Sequence, residues 1–424
     1  MDHTPYLILG TGPAGISAVE AIRKYDSQGR IVMVSSDSYP SLSPVLLTYW
    51  MGGHCSSEAL RFRDTDWPNR FGVSMLPGSQ AAGIDGKRKR VDLSDGSTIF
   101  YDRLLIGTGA SPILLPIPGH QTRGVAALRT AHDAESILRD GPPIRRVVII
   151  GGGFIGLKLA FHLYQRGIDV SLFEKEPKLA PRMLDIESSQ SIERTLRSHG
   201  VAVETGVEVE EILNDQGWVA GVRLKGGEVV SCERVVQAVG VRPNVGFLKD
   251  SGIAVQEGIL ADACMQTNLP AIYAAGDVAM TLDSITGERI SNATWPAATR
   301  QGKIAGSNMT GRRNRCVDNF PLNALHLFDL RVAAAGYAGD AEAGESERFL
   351  IDRTQGYRKV VMKDERITGF ILMGDVRAAG LLLSRMKRQD SLSPAEVDSL
   401  HRLGNERDLP PGLGFDHGLY LHGK

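Results

Sequence analysis

Two glycine-rich segments of this chain share the spacing Gly-x-Gly-x-x-Gly, one beginning at Gly10 and the other at Gly151. Each follows a short apolar run and precedes apolar residues at helical spacing, which predicts a strand, a tight turn and a helix. In such a unit the first glycine permits the turn, the second lets the backbone approach a pyrophosphate, and the third lets the helix pack on the strand. The helix N-terminus favours the negative charge. Two dinucleotide sites are therefore predicted, which indicates a flavoprotein that also binds a nicotinamide nucleotide.

The second unit carries a carboxylate at the position where a ribose would bind. Its next apolar run ends at Glu174, 23 residues after Gly151. A carboxylate at about this distance accepts hydrogen bonds from an adenosine ribose and repels a 2'-phosphate. We therefore expect NAD(H) rather than NADP(H), with the adjacent Lys175 softening the repulsion. The first unit is less regular, and either Ser36 or Asp37 is its ribose candidate.

Length and composition are those of an ordinary globular protein with two or three domains. The chain has 424 residues, of which 42% are hydrophobic, and a net charge of -1, so neither nucleic acid nor a membrane surface is an expected partner. No apolar run reaches about 18 residues and the first predicted strand leaves no room for a signal peptide, so we expect a cytoplasmic protein. The four cysteines stand singly and the ten histidines lack metal-type spacing. We expect no metal site, and any iron–sulfur cluster must belong to another chain.

Further polar residues follow predicted strands. One strand ends at Gly107-Thr108-Gly109, and the apolar run Ala271–Ala275 ends at Gly276-Asp277. Ligands of open parallel sheets bind at the carboxyl ends of the strands, so Asp277 is a candidate for a cofactor hydroxyl. The alternative is that Asp277 caps the next helix. From about Phe320, new strand-like runs predict a separate antiparallel domain.

The motifs at residues 10–15, 107–110, 151–156, 240–244 and 275–277 together resemble the pyridine-nucleotide-disulfide reductase superfamily, in the right order over nearly the whole chain. The resemblance implies an α/β fold in which two Rossmann-like three-layer (ββα) domains bind FAD and NAD and a C-terminal α+β interface domain follows. The NAD domain is inserted in the FAD domain. We expect the FAD domain at 1–113 and 246–316, the NAD domain at 114–245, and the interface domain with a tail at 317–424.

The motifs and the resemblance assign residues to each cofactor. The helix that begins near Pro296 would direct its N-terminus at the flavin pyrimidine ring, where Trp295 either contacts the cofactor or packs in the core. The FAD candidates are Gly10, Gly12, Pro13, Ala14, Gly15, Ser36, Asp37, Ser43, Pro44, Thr108, Gly109, Gly276, Asp277, Trp295, Pro296 and Ala297. The NAD candidates are Gly151, Gly153, Phe154, Ile155, Gly156, Glu174, Lys175, Val239 and Gly240.

The chain departs from the family where disulfide-reducing members carry their cysteines. The matching stretch, Tyr39–Trp50, contains none, and Cys55 lies beyond it, so the flavin itself is the expected redox centre. This stretch is similar to that of rubredoxin and ferredoxin reductases, in which a lysine pairs with a glutamate beside the flavin. Here the two positions are Leu47 and Lys158. A lone cation would favour a negatively charged reduced flavin, so Lys158 is the catalytic candidate, as a flavin or nicotinamide contact; the alternative is a solvated helix lysine.

The resemblance implies an FAD-dependent oxidoreductase in which nicotinamide and flavin exchange a hydride while a partner exchanges single electrons. Within the family the chain looks most like the flavoprotein subunits of 2-oxoacid:acceptor oxidoreductases of the phenylglyoxylate dehydrogenase type. We therefore expect an iron–sulfur subunit or small redox protein as partner, and a hetero-oligomer. The alternatives are a stand-alone NADH:rubredoxin or ferredoxin reductase, and a nucleotide-binding assembly protein with incidental turnover. Arg385, Lys387 and Arg388 form a basic cluster that would either dock an acidic redox carrier or be solvated surface.

Overall fold

The computed structural model describes residues 2–37, 41–340, 347–352 and 356–397. The predictions for Tyr39, Pro40 and the C-terminal tail lie outside these residues. The elements of the first segment are β1 (Asp2–Leu9), α1 (Pro13–Tyr25), β2 (Ile31–Ser35), α2 (Leu47–Met51), α3 (Trp67–Arg70), β3 (Val73–Pro77), β4 (Ala81–Asp85), β5 (Arg90–Leu93), β6 (Thr98–Ile106) and β7 (Ala110–Pro112).

The second segment contains the other glycine unit. Its elements are β8 (Val125–Ala127), α4 (Ala131–Arg139), β9 (Arg146–Ile150), α5 (Phe154–Gln165), β10 (Asp169–Glu174), α6 (Ile186–Ser198), β11 (Ala202–Thr205), β12 (Val209–Asp215), β13 (Trp218–Leu224), β14 (Val229–Ser231), β15 (Arg234–Gln237) and β16 (Val241–Pro243).

The chain then returns to the first sheet and continues into a C-terminal region. The elements are β17 (Ile259–Leu260), β18 (Ile272–Ala274), β19 (Ala279–Leu282), β20 (Arg289–Ile290), α7 (Trp295–Met309), β21 (Leu322–Leu327), β22 (Leu330–Gly336), β23 (Glu347–Asp352), β24 (Gly356–Lys363), β25 (Arg366–Gly374) and α8 (Ala379–Arg388). Short 3-10 helices span Pro44–Leu46, Glu58–Leu60 and Gly246–Leu248.

The first nucleotide unit is the centre of a seven-stranded sheet in the order β3-β2-β1-β6-β5-β4, with β18 pairing to the second half of β6. Strands β1, β2, β3, β6 and β18 pair in parallel. In β1, Leu7 and Leu9 enter one hydrophobic core while Tyr6 and Ile8 enter another on the opposite face. Burial of both faces explains why the run is continuously apolar rather than alternating.

The second nucleotide unit is the centre of a five-stranded sheet, β11-β10-β9-β15-β8, whose strands are all parallel. Val147 and Ile149 of β9 pack with residues of α5, whereas Val148 and Ile150 pack with the antiparallel sheet β12-β13-β14. Two sheets and a helical layer therefore form the expected three-layer ββα arrangement, and the predicted fold class is confirmed.

Where the chain passes between the two units, β7 and β16 pair as an antiparallel ribbon. The C-terminal sheet, β21-β22-β25-β24-β23, is antiparallel throughout. In β25, Phe370 and Leu372 share a core with α8, and Ile371 and Met373 join the core that contains α5. This sheet therefore packs against α8 on one face and against the second unit on the other. We propose the predicted limits near residues 113, 245 and 316 as the domain boundaries, because each lies between these sheets.

The described part of the chain contains no helix long and apolar enough to cross a membrane.

Candidate functional site

The first glycine turn holds its backbone in a form that only glycine tolerates. Gly10 has φ +106°, and a Cβ atom there would lie 2.2 Å from the Gly107 carbonyl oxygen. A Cβ at Gly15 would lie 2.1 Å from the Gly10 carbonyl oxygen, so the third glycine lets α1 approach β1. A Cβ at Gly12, in contrast, meets no described atom within 4 Å. Gly12 therefore faces open space at the N-terminus of α1, as a bound pyrophosphate requires.

We term each glycine turn, with the helix N-terminus that follows it, a cradle. Helix α7, which lies far along the chain, packs against the first cradle. Its Gly302 and Gly306 pack so closely on α1 that added Cβ atoms would lie 2.1 Å and 2.2 Å from α1 carbonyl oxygens. Gln301 is buried and accepts a hydrogen bond of 2.8 Å from the Gly276 N–H. This contact fixes the end of β18 against α7 and thereby positions Asp277.

The other FAD candidates lie on several segments of the first unit. Trp295 is partly buried, and its ring meets Phe62 edge-on at 4.7 Å, an arrangement compatible with both core packing and a cofactor contact. Thr108 and Gly109 are held by Asn244, whose side-chain amide donates to the Thr108 carbonyl. The rest are Pro13 and Ala14 in the first turn of α1, Ser36 and Asp37 on the surface after β2, the buried Ser43 with Pro44 at a 3-10 helix, and Pro296 and Ala297 in the first turn of α7.

The second glycine turn repeats the geometry of the first. Gly151 has φ +109°, and a Cβ there would lie 2.5 Å from the Ala238 carbonyl oxygen. A Cβ at Gly156 would lie 2.0 Å from the Gly151 carbonyl oxygen, and one at Gly153 meets no described atom within 4 Å. The neighbouring NAD candidates are Phe154 and the exposed Ile155 in the first turn of α5, and Val239 and Gly240 after β15.

Glu174 is held at the end of β10 by backbone N–H groups. Its carboxylate accepts a hydrogen bond from the Gly152 N–H at 2.7 Å and another from the Glu176 N–H at 2.9 Å. The side chain is buried, so its charge is held beside the glycine turn. Lys175 instead points to solvent and lies 3.7 Å from a Glu176 carboxylate oxygen.

Arg129, which the sequence motifs did not reveal, reaches the first cradle from the second segment. Its guanidinium donates to Asp277 at 2.9 Å, and Asp37 is close enough for the charges to interact. Its backbone N–H is held by Asp133, which forms a capping box with Thr130 at the start of α4. The pair joins residues 148 positions apart, so no local pattern could predict it. Asp277 therefore has a cationic partner at the carboxyl edge of the first sheet.

Lys158 lies on α5, the helix that packs against α2, and its side chain is only partly accessible. Burial lowers the pKa of its ammonium group, and no hydrogen-bond or ion-pair partner is found for it among the described residues. Burial, with Lys158 and two further histidines nearby, also lowers the pKa of His162 to about 3, so His162 is neutral. Within the described chain, buried His162 Nδ1 and Thr48 Oγ1 lack hydrogen-bond partners. Polar groups without partners thus collect between α2 and α5.

The cysteine nearest to this region in sequence is not prepared for thiol chemistry. Burial raises the pKa of the Cys55 thiol, which opposes formation of the reactive thiolate. The basic cluster on α8 is also not a free positive surface, since each member has an acidic neighbour. Arg385 pairs with Glu396 and Asp390, Arg388 with Asp390, and Lys387 lies 3.9 Å from Asp318.

Both glycine cradles fit a dinucleotide. Each presents a helix N-terminus whose N-cap is a glycine, with open space at the middle glycine, at the carboxyl edge of a parallel sheet. A carboxylate stands at each cradle, Asp277 at the first and Glu174 at the second. The arrangement can therefore hold two nucleotides on adjoining units.

Comparison with known proteins gives a match over most of the chain. The family model described as pyridine nucleotide-disulphide oxidoreductase matches residues 4–302. The model described as the rubredoxin NAD+ reductase C-terminal domain matches residues 321–390. These matches confirm the resemblance inferred from the motifs, and with it FAD and NAD(H) as the cofactors.

Three similar proteins illustrate the range of the match. The NADH-dependent phenylglyoxylate dehydrogenase subunit epsilon of Aromatoleum evansii is 31% identical, over 93% of this chain and 94% of that protein. The NADH oxidase of Methanocaldococcus jannaschii is 32% identical, over 78% of this chain and 75% of that one. The structure of NADH:rubredoxin oxidoreductase from Clostridium acetobutylicum superposes with a TM-score of 0.77 and 25% identity, covering 95% of this chain and 100% of that one.

Proposed function

Because this chain belongs to the pyridine nucleotide-disulphide oxidoreductase family and is an FAD-dependent NAD(H) oxidoreductase, we propose that it is the flavoprotein subunit of a 2-oxoacid dehydrogenase complex of the phenylglyoxylate type. In this role it passes electrons from an iron–sulfur partner to NAD. The observation that carries the proposal is the similarity to the phenylglyoxylate dehydrogenase epsilon subunit over 94% of that subunit's length.

The residues of the two cradles supply binding and orientation. FAD, when bound, couples a two-electron exchange with nicotinamide to one-electron exchange with a partner. The N-termini of α1 and α5, at Gly12 and Gly153, would bind the two pyrophosphates. Asp277, held by Arg129, would accept hydrogen bonds from cofactor hydroxyls, and Glu174 would do the same for the NAD ribose.

Lys158 is the chain's own candidate for electrostatic control of the reaction. Its buried ammonium group has no anionic neighbour among the described residues, so a negative charge that develops nearby would be stabilised strongly. We propose that the flavin or the nicotinamide supplies this neighbour. The unpartnered hydroxyl of Thr48 supports a polar occupant between α2 and α5.

The ion pairs on α8 bear on the choice between a complex subunit and a reductase for a diffusing acidic carrier. Electrostatic steering of such a carrier depends on a net positive potential at the docking surface. On α8, Arg385 and Arg388 already make ion pairs of 2.6 Å with Glu396 and Asp390. This observation counts against α8 as the docking surface of a stand-alone reductase for an acidic carrier.

The test is purification of the tagged chain from its source under native conditions. We expect cluster-bearing subunits to purify with it in fixed proportion, and the complex to reduce NAD with an aromatic 2-oxoacid. A Gly156→Ala chain is the matched control: it should assemble and its flavin should be reduced by the 2-oxoacid, while NAD reduction is lost, because the added Cβ closes the second turn.

The second candidate is a stand-alone reductase, which the rubredoxin reductase model over residues 321–390 favours. The isolated, flavin-loaded chain should then reduce rubredoxin with NADH at full rate. Rapid turnover of that kind, together with purification free of other subunits, would reject the complex.

A further inference from the structure

The segment between Glu174 and α6 forms the outer wall of the second glycine turn. A Cβ added at Gly152 would lie 2.6 Å from the Leu179 side chain, so Leu179 packs directly on the turn. The Ala180 N–H donates to the Gly152 carbonyl oxygen at 3.0 Å. The position of this segment, which we term the 175–185 loop, is therefore coupled to the position of the turn.

The end of the 175–185 loop is tied to the C-terminal domain by a buried network. Asp185 caps α6 by accepting from the Ser188 N–H at 3.0 Å, and it is only 4% exposed. Lys359 and Tyr357 of β24 reach the same carboxylate, the Lys359 Nζ at 3.2 Å and the Tyr357 hydroxyl through a short hydrogen bond. Both β24 side chains are themselves buried.

A second tie holds the middle of the loop. Lys178 Nζ donates to Asp340 Oδ2 at 2.5 Å and to the Leu184 carbonyl oxygen at 2.7 Å. The other Asp340 oxygen accepts from the Ile186 N–H at 3.0 Å. The Asp340 carboxylate therefore contacts the loop at Lys178 and the first residue of α6 at Ile186.

The Asp185–Lys359 ion pair is buried, so its energy depends strongly on the positions of its partners. Removing charged groups from water is unfavourable unless each keeps well-placed partners, so the Asp185–Lys359 pair restricts the loop to the arrangement in which both are satisfied. The loop in turn sets Leu179 and Ala180 against the Gly152 turn, whose N–H also orients Glu174. The position of β24 thus helps to set the position of Glu174, the proposed ribose carboxylate, through these consecutive contacts.

We propose that Lys178, Asp340 and Lys359 are positioning residues for the adenosine half of NAD(H), so that the C-terminal domain sets the affinity of the NAD site. The proposal rests on the assignment of NAD to the Gly151–Gly156 turn. None of the three residues needs to touch the nucleotide, because they act through the 175–185 loop.

The experiment measures binding of ADP-ribose, which carries the adenosine end of NAD without nicotinamide, to the FAD-loaded full chain by calorimetry. Lys178→Met should weaken ADP-ribose binding about tenfold and raise the KM for NADH similarly. The limiting rate of flavin reduction at saturating NADH should not change. Lys178→Arg should restore most of the affinity, since it keeps the charge that pairs with Asp340. Arg223→Met, which removes a surface pair with Glu211 in the same domain, is the matched control.

Asp340→Asn provides a second variant that removes charge from the partly exposed end of the tie, in case a buried change prevents folding. If the parent chain binds ADP-ribose and both Lys178→Met and Asp340→Asn bind it equally well, the positioning role is wrong. A change in melting temperature with unchanged affinity would also overturn that role, because it would show a purely structural contact. A parent chain that binds no ADP-ribose would overturn the NAD assignment itself.

Discussion

The two glycine turns of this protein have nearly the same backbone geometry but different surroundings. Gly10 and Gly151 have φ values of +106° and +109°. A Cβ atom added at the third glycine of each turn would lie 2.1 Å and 2.0 Å, respectively, from the carbonyl oxygen of the first glycine. In the second unit the buried Glu174 accepts a hydrogen bond from the N–H of Gly152 in the glycine turn. In the first unit the carboxylate that follows β2, Asp37, is exposed. The first cradle is instead completed by α7 and Arg129. The same local motif can therefore be specialised by contacts that arrive from elsewhere in the chain.

The largest effect is expected from closing one turn at a time. Gly15→Ala should abolish FAD retention, because its Cβ would lie 2.1 Å from the Gly10 carbonyl oxygen. Gly156→Ala should leave a yellow protein that NADH no longer bleaches. Absorbance near the flavin band before and after addition of NADH distinguishes the two variants. Loss of flavin from Gly156→Ala, in a chain that remains folded, would contradict the assignment of FAD to the first turn and NAD to the second.

The next effect concerns the candidate ribose carboxylates of the two units, Glu174 and Asp37. Glu174→Gln should raise the Kd for NADH about tenfold, since charge-assisted hydrogen bonds contribute roughly 1.5–3 kcal/mol, and it should reduce the preference for NADH over NADPH. Asp37→Asn should change FAD affinity only about twofold, because this exposed side chain is screened by water. Titration of each variant with its cofactor measures both values. Equal losses in the two variants would show that preorganisation of Glu174 is unimportant.

An effect of similar size should follow removal of the cation in the first half of α5. Lys158 stands two residues after Gly156, where the first unit has Ser17 after Gly15. Lys158→Ala should lower the two-electron flavin potential by about 30 mV, which corresponds to a tenfold change in equilibrium. Burial lowers the pKa of Lys158, so the difference between parent and variant should shrink as the pH rises through that lowered pKa and the parent loses its charge.

Potentiometry of the FAD-loaded proteins at several pH values measures this effect, with Lys225→Met as a control at an exposed lysine. An unaltered potential and an unaltered rate of hydride transfer in Lys158→Ala would refute the proposed contact.

The smallest effect is a difference in acid stability at the Asp185 network. Burial raises the pKa of Asp185, but hydrogen bonds from Ser188 and Tyr357 and the charge of Lys359 outweigh it, so the net pKa lies below its ordinary value of 3.8. The associated stability is complete above that value and is lost as the pH falls through the lowered pKa. Thermal melting from about pH 6 downward should therefore show a flatter acid limb in Asp185→Asn than in the parent. Asp364→Asn, in the turn between β24 and β25, is the control, and an equal change in both would contradict the assignment.

The sequence predicted what depends on local spacing. The two turns, the strand ends at Glu174 and Asp277, and the antiparallel C-terminal sheet all lie where the motifs indicated. Arg129 was missed because its partner is distant in sequence, and the positions of Lys178 and Lys359 carry no motif. Two acidic partners of the α8 cluster, Asp390 and Glu396, lie close to it in sequence. The third, Asp318, is distant in sequence and meets Lys387 only in the folded chain. Contacts between domains therefore account for most of what spacing could not reveal.

The close packing of α7 on α1 has a consequence for biosynthesis. The five parallel strands of the second unit, β8, β9, β10, β11 and β15, all precede α7 in sequence, so this sheet can form before α7 leaves the ribosome. The first cradle has its wall at Gly302 and Gly306, nearly 300 residues after Gly10, and stays open until that helix emerges. The second sheet should therefore form before the first cradle is complete, and FAD binding becomes a late step in maturation.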